Sequence, residues 1–297
     1  MKALVVGASG MVGHALLAAL RSAGWKGLGS YYSRHIPGGV LMDVASSDSV
    51  KACLKEHKPD LIFVGVNARG GVDICESDPS QARGVILEGT RYLLDWAGHA
   101  KQILYSTDYV FDGRAGPYGE EDPPHPISVY GRLKWEAEQE LLSRSPNSLV
   151  IRTTAVFGWN RRSKNFAMQI FERLSEGQVF RAPMDQWCNP TLDEFLAETS
   201  LRLADSSQCG IINVVGRDRA HRADLAVLLA KAMELDPGLV QPVSTAELGQ
   251  KAARPLQAGL KTEKLAALLG RPMMGLDEAL SILGRRCRAD LARRGVS

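Results

Sequence analysis

Unbroken apolar runs alternate along this chain with stretches whose apolar positions return every three to four residues. The runs are Ala3-Leu4-Val5-Val6 and Leu61 to Val66, and Trp25 to Tyr32, Gln102 to Ser106 and Ser148 to Arg152, with polar residues within or at their ends, read as further strands. Runs of that length read as strands buried on both faces, as in a parallel sheet. Between them, Met11, Ala15, Ala19 and Ala23 share one helical face with Val12, Leu16 and Leu20 alongside. Leu133, Ala137 and Leu141 repeat the pattern on a helix that Ser128 caps. Ser47 and Asp48 are helix-start residues for Val50 to His57, and Asp78-Pro79 opens a helix through Trp96. Val40 to Asp43 reads as a short strand, and Gly113 to Pro126, rich in Gly, Pro and acid, as a loop. This alternation through about residue 155 predicts an α/β fold, a doubly wound parallel sheet with helices on both faces.

Beyond residue 157 the pattern loosens. Phe166 to Leu174 reads as a helix, Gly210 to Val215 as a late strand, and Arg222 to Leu235 and Leu276 to Leu291 as amphipathic helices. Thr191-Leu192-Asp193-Glu194 has the spacing of a capping box.

Composition narrows the class. The 297 residues are 45% hydrophobic, enough for one large domain or two coupled ones. The net charge of +3, from 36 basic and 33 acidic residues, carries no nucleic-acid or membrane footprint. The basic cluster Arg285, Arg286, Arg288, Arg293 and Arg294 reads as a solvated helix face. Five cysteines, Cys53, Cys75, Cys188, Cys209 and Cys287, show no metal-ligand spacing, so free thiols in a reducing cytoplasm and no bound metal are expected. The four-residue run before Gly7 is too short for a signal peptide, and no run approaches a membrane span.

The chemistry begins where the first strand meets the first helix. Gly7-Ala8-Ser9-Gly10-Met11-Val12-Gly13 lies at that turn. Gly7 permits the turn, Gly10 lets backbone approach a pyrophosphate, and Gly13 lets helix pack close to strand. The helix N-terminus then offers N–H groups and a positive dipole end to phosphates. Ser33 and Arg34 follow the second strand about 20 residues after the last glycine, where dinucleotide folds meet the adenosine ribose. Arg34 in place of an acid favours a 2′-phosphate, hence NADPH over NADH. These features predict a Rossmann domain over 1–157, with late sheet elements from about 186–215. The smaller, mainly helical substrate lobe is expected from 158–185 and 216–297.

Tyr130 and Lys134 are four apart on a helix and so share a face. A ketone receiving hydride needs a proton donor, and an ammonium near a phenol lowers its pKa from about 10. Thr107, at a strand end, offers a hydroxyl to the carbonyl oxygen. Trp159 and Trp187 are candidates to stack on a base, and Arg161 and Arg162 to meet a diphosphate, though both arginines suit a solvated loop as well.

With these residues the chain resembles the extended short-chain dehydrogenase/reductases, and more closely the dTDP-4-dehydrorhamnose reductases. The resemblance rests on the glycine turn, Val72-Asp73 with Glu76, and Ser106-Thr107-Asp108-Tyr109-Val110-Phe111-Asp112-Gly113. Tyr130 with Lys134, Asp185-Gln186 with Pro190-Thr191, and Arg254-Pro255 complete it. The resemblance implies NADPH-dependent reduction of a nucleotide-linked 4-keto sugar, with Thr107, Tyr130 and Lys134 as the catalytic set and Asp108 on the sugar. It implies a cofactor site that includes Gly7, Ser9, Gly10, Met11, Val12 and Gly13. Asp43 and Val44 would flank adenine, and Val66, Asn67 and Ala68 would line the cofactor. It adds Asn165, Gln186 and Arg254 as substrate contacts, and leaves a homodimer open.

The chain departs from that pattern at Arg69, Gly70, Ile86, Ala155, Gln257 and Ala258, mostly positions expected to face the sugar nucleotide. Ala15 replaces a helix-one Glu that binds magnesium in some members. Two further readings stand beside the reductase. One is a sugar-nucleotide epimerase or dehydratase with tightly held NAD, disfavoured by the missing acid after strand two. The other is a binding partner such as the regulatory β subunit of methionine adenosyltransferase, which resembles the same family.

Overall fold

The computed structural model describes residues 1–68 and 70–295; Arg69 lies outside the described residues. The chain opens with β1 (Lys2–Val6), α1 (Met11–Ser22), β2 (Lys26–Tyr31), β3 (Val40–Leu41), α2 (Ser47–His57) and β4 (Leu61–Val64). It continues through α3 (Val72–Ser77), α4 (Pro79–Arg83), a π-helical turn Gly84–Glu88, α5 (Gly89–Trp96), β5 (Lys101–Thr107), a 3₁₀ turn Asp108–Val110, α6 (Val129–Arg144) and β6 (Leu149–Thr153). Then come β7 (Val156–Phe157), α7 (Phe166–Ser175), β8 (Phe180–Pro183), β9 (Trp187–Cys188), β10 (Thr191–Leu192), α8 (Asp193–Ala204) and β11 (Gly210–Asn213). The last elements are β12 (Ala220–His221), α9 (Arg222–Ala232), β13 (Val240–Val243), α10 (Thr245–Leu248), α11 (Glu263–Leu269) and α12 (Leu276–Arg293).

Seven strands form one sheet in the order β11-β6-β5-β4-β1-β2-β3, and every pairing in it is parallel. Successive side chains of β1 enter different cores, as a strand covered on both faces must. Ala3 and Val5 pack with Leu16 and Leu20 of α1 and with Phe195 and Leu196 of α8. Leu4 and Val6 pack with Val50 and Leu54 of α2 and with Leu133, Ala137 and Leu141 of α6. The strand order reverses between β1 and β4, so the crevice for a ligand opens at their carboxyl ends.

The C-terminal part is helical but is tied together by three two-stranded pairs, β7/β10, β8/β13 and β9/β12. These six strands, of two to four residues each, have no apolar run or alternation in the sequence that marks their ends. The single helix expected from Pro79 to Trp96 is interrupted by the π turn, and α3 precedes it unforeseen. Ser46, not Ser47 or Asp48, caps α2. The capping box expected at Thr191 does not form. Leu192 is the N-cap of α8, and the Thr191 hydroxyl donates to Asn189 O at 3.0 Å and accepts from Gly216 N at 3.2 Å, because Thr191 is drawn into β10. Among the described residues, no helix is long and apolar enough to cross a membrane.

Candidate active site

The crevice is built from the ends of β1, β4 and β5 and the start of α6. Gly7 adopts φ 79°, and a Cβ there would meet Gly65 O at 3.0 Å and Val66 Cγ1 at 3.2 Å. The turn after β1 therefore lies directly against the residues after β4. Gly10 is the N-cap of α1; no side chain caps the helix and no acid stands in its first turn. Its first N–H groups are thus left for an anion, with Ser9, Met11 and Val12 partly exposed around them. A Cβ on Gly13 would stand 2.6 Å from Ala8 Cα and Gly7 O, so the close approach of helix to turn requires glycine. An uncapped, acid-free helix start beside a turn that only glycine can make fits a dinucleotide pyrophosphate.

Ser33 and Arg34 follow β2 and are exposed, and the Arg34 guanidinium donates to the carbonyl of Arg162. Asp43 and Val44 follow β3. The Asp43 carboxylate accepts from Ala45 N at 2.9 Å, and Val44 is buried. Val66, Asn67 and Ala68 follow β4, and Ala68 is buried.

Helix α6 is placed by three contacts. Ser128 caps it through Gly131 N at 3.2 Å, and Glu76 on α3 accepts from Val129 N at 2.7 Å. Gly131 sits so close to Tyr109 O that no Cβ fits. This brings Tyr130 beside Thr107 and edge-on to Tyr109 at 5.8 Å between ring centroids. Lys134 is buried and donates to Val66 O at 3.1 Å and Tyr105 O at 3.0 Å, so it bridges the ends of β4 and β5. The Thr107 hydroxyl donates to Asp108 Oδ1 at 3.2 Å and accepts from Tyr109 N at 3.2 Å.

The electrostatics differ from the expectation of a phenol pKa lowered by Lys134. Burial, with smaller contributions from Tyr109, Asp108 and Cys75, pushes the Tyr130 phenol up. The Lys134 ammonium lies 6.0 Å from the Tyr130 ring centroid and is turned to two carbonyls. Its own pKa falls to about 8, chiefly through burial. Asp108 is 2% exposed, and burial raises its carboxyl to about 6.

Of the substrate candidates, Arg254 reaches the site. Its guanidinium pairs with Asp73 at 3.0 Å and lies 6.0 Å from the Tyr109 ring. Asn165 caps α7 through Ala167 N and Met168 N and donates to Gly158 O. Gln186 donates to Thr245 Oγ1 at 2.9 Å and Gln250 Oε1 at 3.1 Å. The amides of both residues are engaged within the C-terminal part. Trp187 stands 3.8 Å from the His221 ring with Arg219 over it, and Trp159 packs edge-on against Phe171 under Arg161. Of the positions that depart from the family pattern, Ile86 and Ala258 are each only 2% exposed, and Ile86 packs in the core beneath α2 and α6. Sequence reasoning gave no role to Asp73, Tyr109 or Arg222. Arg222 opens α9 yet acts on both Asp108 and Tyr109 through space, a proximity that no local pattern announces.

The family model of the RmlD substrate binding domain matches residues 1–285. The chain belongs to this family. Methionine adenosyltransferase 2 subunit beta of Danio rerio is 30% identical over 90% of this chain and 84% of its own length. The dTDP-4-dehydrorhamnose reductase of Aggregatibacter actinomycetemcomitans is 30% identical, covering 90% of this chain and 92% of that protein. Among solved structures, dTDP-4-dehydrorhamnose reductase from Bacillus anthracis in complex with NADP superposes with a TM-score of 0.86. It is 25% identical and covers 96% of this chain and 100% of that one. The protein described here is an NAD(P)-dependent oxidoreductase of the dTDP-4-dehydrorhamnose reductase type.

Proposed function

We propose that this oxidoreductase uses NADPH to reduce the 4-keto group of a nucleotide-linked sugar, as in dTDP-rhamnose biosynthesis, with Tyr130 giving the proton. The observation that carries the reading is the convergence of Thr107, Tyr130 and Lys134 at the crevice beside the uncapped start of α1. The α1 N–H groups would hold the pyrophosphate, Val66, Asn67 and Ala68 the nicotinamide side, and Asp43 and Val44 the adenine side. Arg34 would hold the 2′-phosphate. Bound NADPH supplies the hydride.

The chain's own residues then manage the proton. The Thr107 hydroxyl and the Tyr130 phenol converge on the substrate carbonyl oxygen. A phenol whose pKa is raised by burial keeps its proton until an alkoxide, a far stronger base, develops beside it. Lys134 fixes the ends of β4 and β5 and places positive charge under the site. Arg254, and Arg222 near Asp108, provide the cationic wall that a nucleoside diphosphate requires.

The test is NADPH oxidation across a panel of nucleotide 4-keto sugars. A second reading, a cofactor-binding regulatory subunit, is favoured by the likeness to methionine adenosyltransferase 2 subunit beta. Tight NADPH binding without turnover of any keto sugar supports that reading; turnover supports the reductase.

A further inference from the structure

Helix α3 touches both parts that the site needs. On one side Glu76 accepts from Val129 N at 2.7 Å, at the start of the helix that carries Tyr130. On the other side Asp73 Oδ1 accepts from Ala252 N at 2.9 Å, and Ser77 Oγ accepts from Lys251 Nζ at 3.1 Å. The same Asp73 oxygen pairs with Arg254 Nη2 at 3.0 Å. The partners are unequally placed, with the Arg254 side chain 7% exposed and the Asp73 side chain 39%. Among the described residues, Asp73 is the one carboxylate paired with this guanidinium. The other neighbours of Arg254 are neutral: Ala252 O at 3.5 Å from Nη1, and the Tyr109 ring centroid 6.0 Å from the guanidinium carbon. A guanidinium carries five N–H groups on three nitrogens. Among the described residues its Nε has no partner, so one edge stays open to a second anion.

We propose that Asp73 is a positioning residue for substrate binding, fixing the Arg254 guanidinium in the crevice before the diphosphate of the nucleotide sugar arrives. This rests on the reductase reading above, which sets Arg254 against the diphosphate. A free arginine side chain samples many rotamers, and a ligand that must immobilise it binds more weakly. Asp73 removes that loss in advance. Its own oxygen is tied to Ala252 N, two residues before Arg254, so anion and cation share one backbone frame. The pairing also accounts for a guanidinium so little exposed in a site open to ligand, since an unpaired one would be driven toward water. The carboxylate charge has the opposite effect, because it repels a diphosphate. Orientation belongs to the acceptor oxygen and repulsion to the charge. Asparagine keeps the first and loses the second, whereas alanine loses both.

The experiment titrates dTDP, UDP and GDP into the NADPH-loaded protein by calorimetry and follows keto-sugar turnover. It compares wild type with Asp73→Ala, Asp73→Asn, Arg254→Ala and the double variant Asp73→Ala/Arg254→Ala. For the diphosphate that wild type binds best, Asp73→Ala should weaken binding about tenfold and raise the keto-sugar KM by about the same factor. Its kcat and NADPH Kd should stay within about twofold of wild type, the split expected of a residue that serves binding alone. Asp73→Asn keeps an acceptor for Ala252 N and Arg254, and should bind the diphosphate at least as tightly as wild type. The double variant should bind it no more weakly than Arg254→Ala, because Asp73 acts only through Arg254. That variant strands no guanidinium, so with Asp73→Asn it keeps the test decisive should Asp73→Ala fail to fold. Wild-type affinity in Asp73→Ala overturns the proposal, as does an Asp73→Asn protein as weak as Asp73→Ala. Further weakening in the double variant relative to Arg254→Ala also overturns it. So does a joint loss of kcat, NADPH affinity and diphosphate affinity, the mark of a merely structural ion pair. If the expected binding pattern holds while no keto sugar is turned over, the reductase reading fails and the pairing of Asp73 with a diphosphate-binding Arg254 stands. A wild type that binds none of the three diphosphates overturns both.

Discussion

Replacing Gly13 by alanine sets two effects of opposite sign against each other. In an ordinary helix interior, alanine stabilises by roughly 0.5–1 kcal/mol relative to glycine, because it loses less backbone freedom on folding. At position 13, however, the new Cβ would stand 2.6 Å from both Ala8 Cα and Gly7 O and 3.0 Å from Gly7 C. All three are backbone atoms of the turn, so no rotamer change relieves the overlap and α1 must move off β1. Overpacking of this kind costs about 1–3 kcal/mol. The steric term wins, and Gly13→Ala should lose about 1–2 kcal/mol. Gly10→Ala is the matched control. Its Cβ meets only Gly7 O, at 3.2 Å, so the fold accepts it with a loss of about 1 kcal/mol or less. The Gly10 methyl would instead occupy the space through which backbone approaches the pyrophosphate. Urea unfolding and fluorescence titration with NADPH separate the two. Gly13→Ala should unfold at lower urea, whereas Gly10→Ala should unfold near wild type but bind NADPH weakly. A Gly13→Ala protein as stable as wild type, or a Gly10→Ala protein with wild-type affinity, would refute the reasoning.

Three further outcomes follow from individual side chains. Arg152 and Glu138 form a two-point ion pair at 3.0 and 2.7 Å with both side chains buried, between β6 and the helix that carries Tyr130 and Lys134. Glu138→Ala should cost about 3–5 kcal/mol in urea unfolding by stranding a buried guanidinium; a loss under about 1 kcal/mol would show that water reaches it. Arg34→Ala should weaken NADPH about ten- to a hundredfold and leave NADH unchanged, as read from Kd for both cofactors. Equal losses, or a wild type that prefers NADH, would remove Arg34 from the 2′-phosphate. Burial raises the Asp193 carboxyl from 3.8 to about 6, with Arg286 opposing. The folded state therefore holds this proton more tightly than the unfolded chain, so the residue's contribution is most favourable below about pH 4 and falls as pH rises to about 6. Asp193→Asn should be stabilised relative to wild type by up to about 3 kcal/mol at pH 8 and by little at pH 4. A pH-independent difference would contradict the assignment.

The parallel sheet was legible because β1 and β4 are unbroken apolar runs, β5 and β6 are apolar at their centres, and Gly7, Gly10 and Gly13 mark one strand-to-helix turn. Lys134 was legible through its four-residue spacing from Tyr130. Its hydrogen bonds to Val66 O and Tyr105 O were not, since they depend on which strands become neighbours. The same holds for the Arg254–Asp73 pair, which joins residues far apart in the chain. Thr191 shows the opposite failure. Its local spacing promised a capping box, and pairing of β10 with β7 took the residue instead. The π turn at Gly84–Glu88 was not legible either, because the apolar spacing from Pro79 to Trp96 reads as one continuous helix.

The most direct test of the central claim is NADPH oxidation in the presence of a dTDP-linked 4-keto sugar, measured for wild type and Tyr130→Phe alongside NADPH Kd. The account predicts turnover by the wild type and a loss of about 10²–10⁴-fold in kcat for the variant, with cofactor affinity unchanged. Near-wild-type turnover by Tyr130→Phe would contradict it, as would a wild type that binds NADPH but oxidises none with any nucleotide 4-keto sugar.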